Sequence, residues 1–256
     1  MSLASNLGER LRLLRTALTR RYIWHDLTAM VKAHGYELRE IRANTHPLRF
    51  ARQLPSEDST PLPDFAGRIG PPDEFLLARS YAWNSEASVS EFLGELAFRQ
   101  RACTVVELGC YVGWTSAHLA LGLQAAGRGG KLWCLDYEVR FLDAARANLA
   151  RLGLAERVEF VPGLSLAPAT LAALPAEIDL LFIDTSHEYQ ATLDEIAAYL
   201  PRLAPSGLIA LHDSVSQDGV RRAVQDRWPD FETLTFATEF GNGVTVLRPR
   251  PGSKRA

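Results

Sequence analysis

Two apolar runs in the second half of the chain each end in a pair of ionisable side chains. Asp184 and His187 follow the first run, and His212 and Asp213 follow the second. If the runs are neighbouring parallel strands, their carboxyl ends lie about 5 Å apart and these side chains face one cleft. Such a group of oxygen and nitrogen donors suits a divalent cation or proton transfer.

We predict a metal site made of Asp184, His212 and Asp213. Carboxylate oxygens favour Mg²⁺, the cation we expect first, whereas the imidazole shifts the preference toward a transition metal. The cation would lower the pKa of a substrate hydroxyl, and His187 would accept its proton as general base. In a structural alternative, Asp184 contacts a cofactor or caps a helix, and His187 caps the helix after it. His212 and Asp213 then form hydrogen bonds at a strand end and no more.

The segment Val105–Gly113 joins another apolar run to a helical segment. It contains Gly109 and Gly113 but lacks the third glycine of a dinucleotide-binding loop, whose backbone amides contact a pyrophosphate. Glu107 would repel phosphate and attract a cation. S-adenosylmethionine carries an ammonium and a sulfonium group and no phosphate, so this loop favours S-adenosylmethionine over a nicotinamide dinucleotide.

The ends of the next two apolar runs extend this cofactor site. Asp136 stands roughly 20 residues after the glycine loop, where an acidic side chain can accept hydrogen bonds from ribose hydroxyls. The segment Val161–Ser165 ends the third run and would border the adenine. The glycine loop, Asp136 and the segment Val161–Ser165 follow three successive strand-like runs. Together they indicate a site for a cofactor that contains a nucleoside.

Strand-like and helical segments alternate after residue 100, which predicts an α/β fold with a mainly parallel sheet, because parallel strands need crossover connections. The strand-like runs are almost wholly apolar, as in sheets that helices cover on both faces. They are Thr104–Leu108, Lys131–Leu135, Val158–Val161, Ile178–Ile183 and Gly207–Leu211, then Phe231–Ala237 and Gly243–Arg248, which would form a C-terminal antiparallel hairpin. The helical segments are Thr115–Ala126, Val139–Leu152, Leu166–Leu174 and Tyr189–Leu203.

Residues 1–100 form a separate N-terminal region in our interpretation, and residues 101–256 form the cofactor-binding domain. Apolar residues recur at helical spacing within residues 5–34, and residues 44–72 contain six prolines and little periodicity. Helical patterning returns between Glu74 and Phe98. We expect a helical cap with a Pro-rich loop, which would either close over a substrate or form the surface of a homodimer.

Composition argues against several classes of partner. A formal net charge of −2 and a pI of about 6.3 give no reason to expect nucleic acid or an anionic membrane. No run approaches the ~18 apolar residues of a membrane span, and the three cysteines do not suit a disulfide framework. We therefore expect a cytoplasmic protein that acts on a small molecule.

The stretch Glu107-Leu108-Gly109-x-Tyr111-x-Gly113-Trp114-Thr115 resembles the first motif of class I methyltransferases, in the form found in catechol-type O-methyltransferases. The resemblance runs from Val105 to the C-terminus and implies a Rossmann-like sheet of seven strands. It implies that Tyr111 and Thr115 flank the methionine part of S-adenosylmethionine. Asp136 would hold the ribose, and Ser165 would lie beside the adenine. The full set of predicted cofactor residues is Glu107, Gly109, Cys110, Tyr111, Gly113, Thr115, Asp136, Tyr137, Gly163, Ser165 and Asp184.

The two polar pairs also resemble the metal site of macrolide-sugar and other antibiotic-tailoring O-methyltransferases. Asp184 and Asp213 match ligands of those relatives, whereas His212 stands where a carboxylate is usual. The resemblance implies methylation of a sugar or phenolic hydroxyl of a secondary metabolite. The alternatives are metal-independent methyl transfer to nitrogen or carboxyl, a non-catalytic protein that binds S-adenosylmethionine and, last, a nicotinamide oxidoreductase.

Overall fold

The computed structural model describes residues 38–40, 62–78, 83–238 and 241–250. The helices predicted within residues 5–34 lie outside the described residues, as does most of the Pro-rich segment 44–72. From residue 62 onward, that segment contains a short helix and the start of a 3₁₀ turn, Pro72–Glu74.

A single eight-stranded sheet organises the described residues. Its order is β1-β7-β8-β6-β5-β2-β3-β4, and every strand pair is parallel except those of β8 with β6 and β7. The strands are β1 (Leu38–Glu40), β2 (Thr104–Leu108), β3 (Lys131–Asp136), β4 (Val158–Pro162), β5 (Ile178–Ile183), β6 (Leu203–His212), β7 (Phe231–Ala237) and β8 (Val244–Pro249). The predicted seven-stranded arrangement with its antiparallel ending is confirmed, and β1 adds an edge strand that pairs with β7.

Helices cover both faces of the sheet. They are α1 (Phe65–Ile69), α2 (Ala87–Arg99), α3 (Trp114–Ala126), α4 (Val139–Arg151), α5 (Pro168–Ala173), α6 (Tyr189–Tyr199) and α7 (Asp218–Arg227). Successive strand residues pack on opposite faces, so that Val105 joins the core under α2, α3 and α4 while Val106 joins the core under α6 and α7. This two-sided burial is the reason that the central strands β2 and β5 are mostly apolar.

The backbones of helices α2 and α3 are in direct contact. A Cβ atom on Gly122 would lie 2.1 Å from the carbonyl oxygen of Gly94, so the two helices touch where neither has a side chain. The division at residue 100 assigns α2 to the N-terminal region by sequence, yet α2 lies in the helical layer that covers the sheet. Among the described helices, which contain 5 to 13 residues, none could span a bilayer.

Candidate functional site

A cleft of about 730 Å³ opens at the carboxyl ends of the central strands. In the sheet, β2 pairs with β3 on one side and with β5 on the other. The cleft therefore lies at the point where the strand order reverses. Ligands of open α/β sheets bind at this point. The volume is ordinary for a small-molecule or cofactor site.

The glycine loop after β2 forms the floor of the cleft. Gly109 has φ of 84°, and a Cβ atom there would lie 2.0 Å from the carbonyl oxygen of Asp184. Only glycine therefore lets this loop pass beside the end of β5. Tyr111 also has positive φ, and its backbone N–H donates to Asp136 at 3.0 Å. The loop is held in place by the ends of both neighbouring strands.

Gly113 differs from the other predicted cofactor residues because it does not line the cleft. It precedes α3 with φ of 84°, and a Cβ atom there would lie 2.7 Å from Leu149 and 3.1 Å from Ala145 of α4. Its requirement for glycine comes from helix packing behind the loop.

Glu107 lies beneath the loop and is 1% exposed. Its carboxyl accepts hydrogen bonds from Ser116 at 2.5 Å and from the thiol of Cys134 at 3.3 Å. Burial raises the pKa of Glu107 to about 8. The sequence alone suggests a free negative charge at Glu107, whereas the folded protein surrounds its carboxyl with donors in an apolar setting and favours the neutral form.

Asp136 connects the glycine loop to the end of β3. Its two oxygens accept backbone N–H groups, one from Tyr111 and one from Glu138, each at 3.0 Å. The side chain lines the cleft, and burial raises its pKa. Tyr137, the next residue, is 70% exposed at the mouth. Asp136 therefore has a fixed carboxyl group that faces the cleft.

A buried carboxylate, Glu195 of α6, orders the far end of the cleft. It accepts the hydroxyl of Ser165 at 2.5 Å and that of Thr185 at 2.8 Å. Tyr199 donates to the carbonyl of Ser165 at 2.7 Å. With its own hydrogen committed to Glu195, the Ser165 oxygen can act only as an acceptor toward the cleft, as an adenine amino group would require.

Aromatic rings form one wall of the cleft. Trp83 is 64% exposed, and its ring centroid lies 5.9 Å from that of Tyr111 and 6.1 Å from that of Phe141. Tyr111 and Phe141 meet edge to face at 4.8 Å. The sequence alone favours a core or cofactor-wall position for Trp83 over contact with a substrate, and the structure places the ring in the cleft wall.

The charged cluster lies across the cleft, at the ends of β5 and β6. One ligand atom each from Asp184, His212 and Asp213 lie within 4.8 Å of one another. Nδ1 of His212 is 3.3 Å from Oδ2 of Asp184 and 3.6 Å from Oδ2 of Asp213. His212 is 5% exposed, and its Nδ1 makes no hydrogen bond within the part of the chain that the structure describes.

His187 completes the cluster from the β5–α6 loop. Its Nε2 lies 3.4 Å from Oδ1 of Asp184 and 3.1 Å from Oδ2 of Asp213. His187 and Asp213 both adopt positive φ, an unfavourable conformation for these residues that is common at functional sites. The α7 backbone supports the loop, since a Cβ atom on Gly219 would lie 2.3 Å from the His187 carbonyl.

Glu86, the residue before α2, reaches the same cluster. Its Oε2 lies 2.7 Å from Nε2 of His212, and its Oε1 accepts the hydroxyl of Thr238 at 2.7 Å. An acidic residue just before a helix can either reach the cleft mouth or interact with the helix dipole. Glu86 occupies the N-cap position but makes no side-chain cap bond. Ser85 beside it donates to Asp184 at 3.1 Å.

The charges of the cluster support one another. Burial opposes ionisation of Asp184, yet the charges of His212 and His187 hold its pKa well below the usual range. The hydrogen bond to Asp184 raises the pKa of His187. Burial would lower the pKa of His212, but the charge of Asp184 and the bond to Glu86 raise it well above its ordinary value. Burial raises the pKa of Asp213. Three carboxyl groups thus share two imidazoles.

These residues fit a divalent cation. The buried Nδ1 of His212 faces the oxygens of Asp184 and Asp213 without a hydrogen bond among the described residues, as a metal-binding nitrogen would. Two carboxylates and one imidazole form a donor set that first-row divalent metals accept.

The fold brings together every predicted site residue except Gly113. The cleft lining also contains residues to which the sequence analysis assigned no site role, mostly from loops that follow no recognisable motif. They are Asn84, Ser85, Leu135, Phe141, Leu164, Leu166, Thr185, Ser186, Ala191, Glu195 and Asn242.

Comparison with known proteins agrees with this geometry. Residues 106–214 match the family model described as a methyltransferase domain. The catechol O-methyltransferase of Mycobacterium tuberculosis is 37% identical over 135 residues, which are 52% of this chain and 57% of that protein. A Halobacterium salinarum protein named "probable cobalt-precorrin-6B C(15)-methyltransferase (decarboxylating)" is 33% identical over 135 residues, 53% of this chain and 63% of that protein. The chain thus spans less than two thirds of either relative.

A solved structure extends the likeness of fold. The O-methyltransferase TomG from Streptomyces achromogenes, involved in tomaymycin synthesis and solved in complex with S-adenosylmethionine, superimposes with a TM-score of 0.59. It is 20% identical, and the match covers 79% of this chain and 95% of TomG. Residues 106–214 thus match a methyltransferase-domain model, and the chain shares its fold with the O-methyltransferase TomG.

Proposed function

We propose that this chain transfers the methyl group of S-adenosylmethionine to a hydroxyl of a small molecule, with the help of a divalent cation. The observation that carries the proposal is the convergence of Asp184, His212 and Asp213 on the same cleft as the glycine loop. One cleft thus contains groups suited to hold a methyl donor and groups suited to activate an acceptor. The likeness to catechol O-methyltransferase supports the same reading.

The donor would occupy the side of the cleft formed by β2, β3 and β4. Asp136 would accept the ribose hydroxyls, and the acceptor oxygen of Ser165 would receive the adenine amino group. The methionine part would extend past Tyr111 and Thr115 toward Asp184. Thr115 lines the cleft, and its hydroxyl is 3.0 Å from that of Ser90, which fixes its position.

The acceptor would be activated on the side formed by β5 and β6. When bound, S-adenosylmethionine supplies the methyl group and the cation supplies a Lewis acid that lowers the pKa of the acceptor hydroxyl. Asp184, His212 and Asp213 would hold the cation, which we name first as Mg²⁺ because two ligands are carboxylates. His187 would take the hydroxyl proton as the oxygen–methyl bond forms and the sulfur–methyl bond breaks. Positioning of donor and acceptor in line supplies the rest of the rate enhancement.

The aromatic wall across the cleft from the charged cluster supports our proposal for the acceptor class. Trp83, Tyr111 and Phe141 present aromatic surface at the mouth of the cleft, which suits a planar or apolar acceptor. We propose a phenolic or sugar hydroxyl of a secondary metabolite, as in antibiotic biosynthesis. TomG, involved in tomaymycin synthesis, offers a structural parallel.

The test measures donor binding and turnover separately. Calorimetric titration with S-adenosylmethionine should show binding, and a panel of phenols and glycosides should yield methyl ethers, with loss of activity in EDTA and recovery on adding Mg²⁺ or Mn²⁺. Activity unaffected by chelation would favour metal-independent transfer of the methyl group to nitrogen, carboxyl or carbon. The name of the H. salinarum relative specifies transfer to carbon. Donor binding without turnover on any acceptor would point to a non-catalytic binding protein.

Three further proposals concern the whole protein. We propose an N-terminal cap before residue 100, a homodimer and a cytoplasmic location. Light scattering on the purified full chain tests the dimer, and limited proteolysis with and without S-adenosylmethionine tests whether the N-terminal region protects the cleft.

A further inference from the structure

Glu86 links three parts of the fold at the edge of the charged cluster. It is 5% exposed and lies between the start of α2, the end of β6 and the turn between β7 and β8. One oxygen contacts Nε2 of His212 at 2.7 Å. The other accepts the hydroxyl of Thr238, which in turn accepts the backbone N–H of Gly243 at 3.0 Å. Both carboxyl oxygens are therefore fixed.

This contact determines which nitrogen of His212 faces the cluster. With Nε2–H donating to Glu86, the ring presents Nδ1 to Oδ2 of Asp184 and Oδ2 of Asp213. We infer that Glu86 is a positioning residue that holds the Nδ1 lone pair of His212 toward a cation between the two aspartates, and that it thereby makes the site prefer a transition-metal cation over Mg²⁺. The inference rests on the proposed function and refines its metal.

The physical reason is the effect of a second carboxylate on a metal-binding imidazole. Histidines that bind metals usually donate their other N–H to a carboxylate or carbonyl, which fixes the ring and makes the bound nitrogen more basic. Mg²⁺ binds oxygen and loses its water reluctantly, so a fixed, basic nitrogen contributes little to its binding. First-row transition metals gain from the same nitrogen.

A capping role does not account for Glu86. A carboxylate this buried is costly unless it is paired, and its two partners lie away from the backbone N–H groups at the start of α2. Ser85 also contacts Asp184 at 3.1 Å. The two residues before α2 thus hold two of the three ligands that we propose.

The experiment compares cation affinities of the purified, chelator-stripped full chain by calorimetry, with the visible absorption of bound Co²⁺ as a second readout. Wild type should bind Mn²⁺ and Co²⁺ at least tenfold more tightly than Mg²⁺. Replacing Glu86 with Ala should weaken Co²⁺ binding about 10- to 100-fold, with a smaller loss for Glu86→Gln and a shift of the Co²⁺ bands. The matched control is Glu95→Gln, a buried glutamate of the same helix outside the cleft.

A double-mutant comparison separates positioning from general damage. In a His212→Asn background, Glu86→Gln should change Co²⁺ affinity less than twofold, because Glu86 has no imidazole left to act through. Equal losses in both backgrounds, or equal affinity of wild type and Glu86→Ala, would overturn the inference while leaving the metal site of the proposed function intact. A wild type that binds none of the three cations would overturn both.

Discussion

The two sides of the cleft use polar groups in different ways. On the side of β2, β3 and β4, which we call the donor side, hydrogen bonds to neighbours fix two polar side chains: Asp136 accepts from two backbone amides, and Ser165 donates to Glu195. On the side of β5 and β6, the acceptor side, Nε2 of His187 lies 3.4 Å from Asp184 and 3.1 Å from Asp213 in a group of charges.

This difference fits two functions, which are cofactor binding on the donor side and activation of a hydroxyl on the acceptor side. Binding a constant cofactor needs fixed donors and acceptors at low cost, which satisfied hydrogen bonds provide. Activating a hydroxyl needs groups that exchange protons or cations, which a crowded set of charges provides. Variants on the acceptor side should therefore affect turnover and cation binding, and variants on the donor side should affect cofactor affinity and stability.

The largest expected effect belongs to His187. Replacing it with Gln should lower kcat about 10²- to 10⁴-fold, the usual contribution of a general base, with S-adenosylmethionine affinity within about twofold of wild type by calorimetry. The control is Tyr189→Phe, two residues after His187 in the chain. It removes an exposed hydroxyl that donates a hydrogen bond to Asp226. If His187→Gln kept the turnover of wild type, His187 would not be the general base.

Gly109 lies where the two sides meet, so its replacement should damage both. Gly109→Ala would place a Cβ atom 2.0 Å from the Asp184 carbonyl at positive φ, and we expect a loss of about 3 kcal/mol or more in the free energy of unfolding. Gly153→Ala is the matched control, because it has φ of 70° and open space around it, and should cost only about 1 kcal/mol. Urea unfolding measures both. Equal losses would mean that the backbone contact with β5 has no importance.

Asp136 tests the donor side alone. Asp136→Asn keeps one acceptor oxygen of the two and should weaken S-adenosylmethionine binding about tenfold, or ~1.4 kcal/mol, without changing cation affinity. Asp179→Asn is a close control, since one Asp179 oxygen also accepts two backbone amides, those of Cys103 and Thr104, at the opposite end of the sheet. If Asp136→Asn weakened cation binding as well, the two sides would not be independent.

A variant of Glu107 tests the donor side through the pH dependence of stability. Its pKa is about 8 in the folded protein against an ordinary 4.5, so the native state keeps a proton that the unfolded chain releases. Its contribution to stability is full below about 4.5, falls as the pH rises toward about 8, and is constant above that. Melting temperatures at pH 5.5 and 8.5 should therefore differ by less in Glu107→Gln than in wild type. Parallel profiles would show that Glu107 titrates normally.

The sheet was predictable because its strands are buried on both faces. The runs Thr104–Leu108, Ile178–Ile183 and Phe231–Ala237 match β2, β5 and β7 residue for residue. β6 begins at Leu203, earlier than the predicted Gly207, because Pro205 and Ser206 interrupt the apolar pattern that the sequence analysis used. Helix α7 was not predicted, since its polar sequence buries only Val220, Ala223 and Val224.

The sequence by itself determined the alternation of strands and helices, the mainly parallel sheet and the residue types at its carboxyl ends, because buried strands and crossover connections leave clear patterns. It therefore located the cofactor loop, Asp136 and the pairs after β5 and β6. Only the tertiary structure decided that Glu107 is buried and neutral, that Gly113 packs against a helix, and that Glu86 contacts His212 across 126 positions of sequence. Those contacts join segments with no shared periodicity, so no local pattern could encode them.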